Sequence, residues 1–197
     1  MAIANGYCDL ASFKAWRAIT STNATDDGAI EGLIELASRF IDAETKRTFY
    51  SRSETRYFSV PDGLELHLDD DLLTISTNGL VNGDATVITS TYYHLLPKNK
   101  APYHTIKLKD SSAYNWTQDS NGDTEYVISV AGTWGYSATT PADIKNACLM
   151  IASSAYNRMT GENQTGVARI TAAGVVITPE DIPSSAMLII RGYKRRL

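Results

Sequence analysis

The period of the apolar residues changes twice along this chain, and that change limits what it can fold into. Ile30, Leu33, Ile34, Ala37, Phe40 and Ile41 recur at helical spacing, one stripe running to about Arg47. From Thr48 to about Thr133 the pattern becomes alternating, through "TRYFSV", "LELHL", "LLTIST", "TVIT", "YYHLL", "TIKLK" and "EYVISVAG". Turn pairs such as Asp62-Gly63, Asn78-Gly79, Asn82-Gly83 and Asn121-Gly122 punctuate it. Helical spacing then returns with Ile144, Cys148, Ile151, Ala152, Ala155 and Met159, stopped by Gly161. A helical pattern interrupted and resumed predicts an α+β fold: a small helical bundle core with a β-rich insertion of about six strands between its second and third helices.

The flanking pieces complete this outline. Asp9 caps a short first helix, "DLASFKAWRAI", in which Leu10, Phe13 and Trp16 recur, and the polar turn "TSTNATDD" ends it. Thr25, Asp26 and Asp27 open the second helix with oxygens that its dipole favours. At the far end of the insertion, Thr140 has the form of an N-cap and Pro141 that of a first helical residue. A glycine-dotted arm follows from 162, and "SSAMLIIRGYKRRL" after Pro183 reads as a short terminal helix. The expected organisation is a single domain over 1–197: N-terminal helices 1–47, insertion 48–133, core helix 140–161, and arm with C-terminal helix 162–197.

Charge excludes bulk duplex binding as the main activity. The chain has 18 Lys and Arg against 22 Asp and Glu, a net charge of -4 and a pI near 5.3, so it repels a polyanion except at a local basic patch. No run reaches the roughly 18 to 20 apolar residues that span a bilayer, and the N-terminus has no charged and apolar leader. The chain is expected to stay in the compartment where it is made, without membrane contact. In that setting Cys8 and Cys148 read as small core residues, not a disulfide, and the Asn-x-Thr triplets at Asn23, Asn115 and Asn163 as chance matches.

Few residues offer chemistry. Asp69, Asp70 and Asp71, with His67 nearby, are the best metal or acid-base candidates, but consecutive residues rarely converge on a hard cation. They read as a solvated turn between strands "LELHL" and "LLTI". His67, His94 and His104 show no zinc spacing, and no phosphate loop, dinucleotide fingerprint, nucleophile elbow or protease histidine motif is present. No catalytic residue, metal or cofactor is expected. The eleven tyrosines and three tryptophans alternate beside Thr, Ser and Asp instead of Lys and Arg, which favours packing or subunit contact over base stacking.

Two places remain. In "VAGTWGYSATTPADIKNA", Trp134 and Tyr136 sit on a glycine-hinged corner before a helix, and are expected to wedge the insertion against the helical core or face a neighbouring subunit. At the C-terminus, Arg191, Lys194, Arg195 and Arg196 lack a compensating acid. These cations either favour the dipole of a last helical turn or, with Tyr193 and "MLII", dock into an acidic, partly apolar groove.

The order of pieces resembles the head-tail connector, or adaptor, family of tailed bacteriophages. The resemblance runs from about residue 7 to 160 and rests on the joint order of "LDDDLLTI", "YHLLPKNKAPYHTIKL" and "GTWGYSATTPADIKNACLMIAS" leading to "YNRM", with a looser match in "ITPEDIP" and "LIIRGYKRR". It implies a non-enzymatic virion subunit at the head-tail interface, a ring commonly of twelve copies beneath the portal protein. Such a ring meets a tail-side neck or tail-completion protein and extends the channel through which DNA passes without specific binding. On that reading the arm, from about Val167, is loosely held in the monomer and orders on the portal, with Arg191, Tyr193, Lys194, Arg195 and Arg196 as contacts. Lateral contacts are expected from the insertion and the surface of the helix at 30–47. The alternative is a nucleic-acid-binding module that uses the basic C-terminus.

Overall fold

The computed structural model describes residues 3, 5–20, 24–160, 169–170, 176–177 and 182–195. The fold is α+β, in two compact units: residues 1–46 with 140–197, and residues 47–139. In the first unit, α1 (Leu10–Trp16) starts where the Asp9 carboxylate accepts the Ser12 amide at 2.6 Å. That hydrogen bond satisfies an end amide and holds the Asp9 carboxyl below its ordinary pKa. Phe13 is its buried residue, whereas Trp16 is 49% exposed.

The long helix α2 (Asp27–Thr45) buries Ile30, Ile34, Ala37, Ser38, Ile41 and Thr45, a seam at steps of three and four. Ser38 and Thr45 are tolerated there because their hydroxyls donate to the Ile34 and Ile41 carbonyls, each at 2.8 Å. Lys46, in left-handed conformation at φ 56°, caps the helix, whose last residue, Thr45, falls two short of the expected Arg47. Asp26 makes no side-chain cap, and the Asp27 carboxylate pairs with Lys14 at 2.5 Å instead.

Helix α3 (Ala142–Met159) packs against α2 and against α4 (Ser184–Tyr193), and its buried arc from Ile144 to Ser153 is correspondingly wide. It starts later than its sequence suggests. Pro141 holds φ -57° and ψ 145°, so it is the N-cap instead of the first helical residue, and Thr140 lies outside the helix. Of the arm, β6 (Arg169–Ile170) and β7 (Val176–Ile177) pair antiparallel. The expected stop at Gly161 and most of the arm lie outside the described residues.

The second unit is an antiparallel five-stranded sheet in the order β1-β5-β2-β4-β3. Its strands are β1 (Arg52–Phe58), β2 (Glu65–Val81), β3 (Tyr93–Leu96), β4 (Tyr103–Leu108) and β5 (Ile128–Trp134). Along β5 burial alternates, so Ile128, Val130, Gly132 and Trp134 share the inner face. Leu66, Leu72, Leu80, Ile106 and Leu108 complete that core.

Two expectations are corrected. "LELHL" and "LLTIST" are not two strands about a turn but one strand of 17 residues, β2, whose register shifts between His67 and Leu72. Such a bulge absorbs extra residues without ending the strand. "TVIT" contributes only an isolated bridge, Val87 to Val81. Among the described residues, no helix is long and apolar enough to cross a membrane.

Candidate assembly surfaces

Helix α4 turns one narrow seam inward and a mixed face outward. Ala186 and Ile190, four residues apart, are buried, whereas Leu188 is 74% exposed and Arg191 and Lys194 are also exposed. Its end is tied down at two points: the Tyr193 hydroxyl donates to Asp143 Oδ2 at 2.7 Å, and the Arg195 amide to the Thr45 carbonyl at 2.9 Å. Thus residues 184–195 do not fit the expectation of a tail that orders only on docking. The seam packs the helix against α2 and α3, and the two bonds tie its C-terminal end to those same helices. Of the docking candidates, Arg191 and Lys194 face outward, Tyr193 and Arg195 hold the helix end, and Arg196 lies outside the described residues. Asp143 was not legible as a partner, since an acid in a first helical turn reads simply as a dipole effect.

The corner that carries Trp134 and Tyr136 is stitched to the segment 47–58. Trp134 is fully buried, donates its Nε1 hydrogen to the Glu54 carbonyl at 3.1 Å, and stacks on Phe58 with ring centres 6.1 Å apart. Gly135 follows at φ 129°, its amide donating to the Asp71 carbonyl at 2.8 Å. A Cβ there would meet the Tyr50 carbonyl oxygen at 2.2 Å, so only glycine lets the chain pass. Half-buried Tyr136 rests against Phe49, centres 5.2 Å apart, beneath the Arg47 guanidinium at 5.1 Å. Its amide donates to the Thr48 carbonyl at 2.7 Å.

The acidic triplet is no solvated turn. Asp70 and Asp71 are only 8% and 2% exposed. Arg52 and Arg56 reach Asp70 at 2.6 and 3.0 Å, Arg56 also meets Asp69 at 2.7 Å, and Arg47 meets Asp71 at 2.5 Å. Glu54 bridges Arg52 and Arg56 at 3.0 and 2.6 Å. Burial alone would raise the Glu54 carboxyl, but the hydrogen bonds from Arg56 and Arg52 outweigh it and hold the group below its ordinary pKa. The missed signal was the alternation of Arg52, Glu54 and Arg56, which puts all three on one face of β1.

Carboxylates occupied by guanidinium groups are poor general bases and poor cation ligands. Among the described residues no group of three or more His, Cys, Asp and Glu could hold a metal. His67 and His104 both approach the Thr105 hydroxyl, each at 3.1 Å, and His94 lies on another strand. What the site can do is mechanical: it locks a sheet corner.

No family model matches the sequence, and no curated protein matches it. Solved structures do match. A chain of the neck of an empty gene transfer agent (GTA) particle, computed with C6 symmetry, aligns over 100% of this chain and 95% of its own, at TM-score 0.60 and 17% identity. The chain shares its fold with a component of a particle neck. A chain from the neck of the native GTA particle, computed with C12 symmetry, gives TM-score 0.59 at 18% identity over 100% and 94%. One from the virion of the native GTA particle gives 0.58 at 17% over 100% and 95%. At these identities the likeness is one of fold, and it agrees with the α+β class and the connector resemblance read from the sequence.

Proposed function

We propose that this chain is a structural neck subunit of a tailed-phage-like particle, forming a ring beneath the portal and extending the channel through which DNA leaves. The observation that carries this reading is the full-length fold likeness to chains from necks of C6 and C12 symmetry. A ring of twelve copies belongs to this reading, and the C12 symmetry of one matched neck supports it. The molecule works by shape: its carboxylate cluster is spent on arginines, and its net charge of -4 lets a channel pass DNA without gripping it.

Exposed apolar side chains on both units support contacts with neighbouring copies: Leu36 at 62% on α2, Tyr57 at 60% on β1 and Tyr126 at 69%. For the portal we assign the outer face of α4, where Leu188 and Arg191 stand on one short helix with Lys194 at its C-cap. That mixture suits an acidic, partly apolar groove. The tail-side partner meets another face of the ring.

The test mixes purified protein with tail-less particles that retain their portal and reads ring density by electron microscopy. The wild type adds a ring, and the double variant Arg191→Glu/Lys194→Glu, melting as the wild type does, adds none. A double variant that still joins overturns the α4 face. A wild type that never joins, yet is retained on DNA at low salt and released by added salt, overturns the neck reading in favour of nucleic-acid binding.

A further inference from the structure

Cys8 and Cys148 are separated by 140 residues in sequence, yet their sulfurs lie 3.5 Å apart. Both thiols are free. Cys148 is fully buried on α3, while Cys8, on the segment before α1, is 6% exposed. Cys8 also lines a surface cleft of about 430 Å³ with Gly6, Asp9, Thr140 and Lys145. The pair is held in place from a third element. Ser38 on α2 accepts the Tyr7 amide at 3.0 Å, and its oxygen lies 3.5 Å from the Cys148 sulfur. The Tyr7 hydroxyl donates to Asp42 on the same helix. The two sulfurs therefore face each other on anchored backbone, and reaching the bonding distance of about 2.0 Å takes a shift of about 1.5 Å.

We propose that Cys8 and Cys148 form a latent disulfide, closed when a peroxide enters the cleft, which locks the N-terminal segment onto α3. The Cys8 sulfur gives two electrons to the O–O bond and becomes a sulfenic acid, with one water released. The Cys148 sulfur then attacks that sulfur, the S–S bond forms, and the departing hydroxide takes the Cys148 proton as a second water. In sum, two thiols and one hydrogen peroxide give one disulfide and two waters. The hydrogen bond to Cys148, and then burial, push the Cys8 thiol well above its ordinary pKa, so little thiolate is present and its attack on peroxide is slow, while without an oxidant the bond does not form. The bond closes a loop that contains the whole sheet unit, which restricts the unfolded chain strongly.

The test treats the folded full chain, purified under reductant and then freed of it, with hydrogen peroxide. The expected product is a monomer lighter by two hydrogens, with no thiol left for alkylation after denaturation. Its tryptic digest joins the peptide ending at Lys14 to the peptide Asn146–Arg158. It melts above the reduced form, reductant reverses the change, and Cys8→Ser shows no oxidant-dependent shift. Oxygen gained at either cysteine without the cross-link overturns the proposal, as does a bond between two copies. Equal melting of the linked and reduced forms overturns the lock, and since this compares two states of the wild type it needs no variant to fold.

Discussion

The Arg56 guanidinium carbon lies 4.8 Å from the centre of the Trp134 ring. One face of that cation meets the indole while its edge meets Glu54, Asp69 and Asp70. Arg56 and Trp134 belong to opposite edges of a joint: Arg56 pairs with Val130 on β5, whereas Trp134 ends that strand opposite Arg52. A planar, weakly hydrated guanidinium can take an aromatic ring and carboxylates at once, which an ammonium cannot do with the same geometry. The corner thus combines apolar burial with a charge network that is almost closed on itself.

Trp134→Ala is expected to cost about 3 to 5 kcal/mol in unfolding free energy, because it empties a fully buried site and removes the support beneath Arg56. Trp134→Phe keeps most of the packing but leaves the Glu54 carbonyl without its Nε1 donor, and is expected to cost about 1 to 2 kcal/mol. Urea titration of the three proteins checks the order. A Trp134→Ala protein with the wild-type midpoint would remove the corner from the stability of the sheet unit.

The ion network separates neighbouring aspartates that look alike in sequence. Asp70, with its side chain 11% exposed, serves two arginines, whereas Asp69, 65% exposed, serves one. Asp70→Asn leaves two largely desolvated cations underpaired and is expected to cost about 2 kcal/mol or more. Asp69→Asn removes a surface pair and is expected to cost less than about 1 kcal/mol. Equal costs at the two positions, measured by denaturant unfolding, would show that burial does not set their contributions.

Much of the architecture was legible because it is periodic. The apolar spacing of α2, the alternation of Ile128 and Val130 on β5 and the capping oxygen of Asp9 are local patterns that the structure keeps, although β5 starts at Ile128 and leaves Tyr126 outside, 69% exposed. Continuity through Asp69, Asp70 and Asp71 was not legible, because three acids in a row resemble a turn until arginines from β1 are brought across β5. Likewise, the packed state of α4 depends on only Ala186 and Ile190, too short a seam to show in a single sequence, and on Tyr193 reaching an aspartate 50 residues away. The contact of Cys8 with Cys148 is longer-ranged still, and no local pattern announces it.

Gly135 tests the backbone of the corner independently of its side chains. A methyl group there meets the Tyr50 carbonyl oxygen at 2.2 Å in a region of backbone angles that side chains disfavour. Gly135→Ala is therefore expected to destabilise by about 2 kcal/mol or more. Gly63, where an added Cβ meets nothing within 4 Å, is the control, and Gly63→Ala is expected to stay within about 0.5 kcal/mol of wild type. Thermal melting that ranks the two alike would contradict the tight passage past Tyr50.

Acid should loosen the corner, and the sign follows from Glu54. Its carboxyl is held below the unfolded value of about 4.3, so the folded chain binds that proton more weakly than the unfolded chain does. The resulting stabilisation is fully present above that value and is lost as pH falls through the lower folded value. Asp9 acts in the same direction through the Ser12 amide, so Asp9→Asn serves as the comparison. Urea midpoints of the wild type are expected to fall between pH 5 and pH 3. Glu54→Gln, which cannot titrate, begins lower at neutral pH and falls less steeply, whereas curves that run parallel would detach the acid response from the arginine pair that holds Glu54.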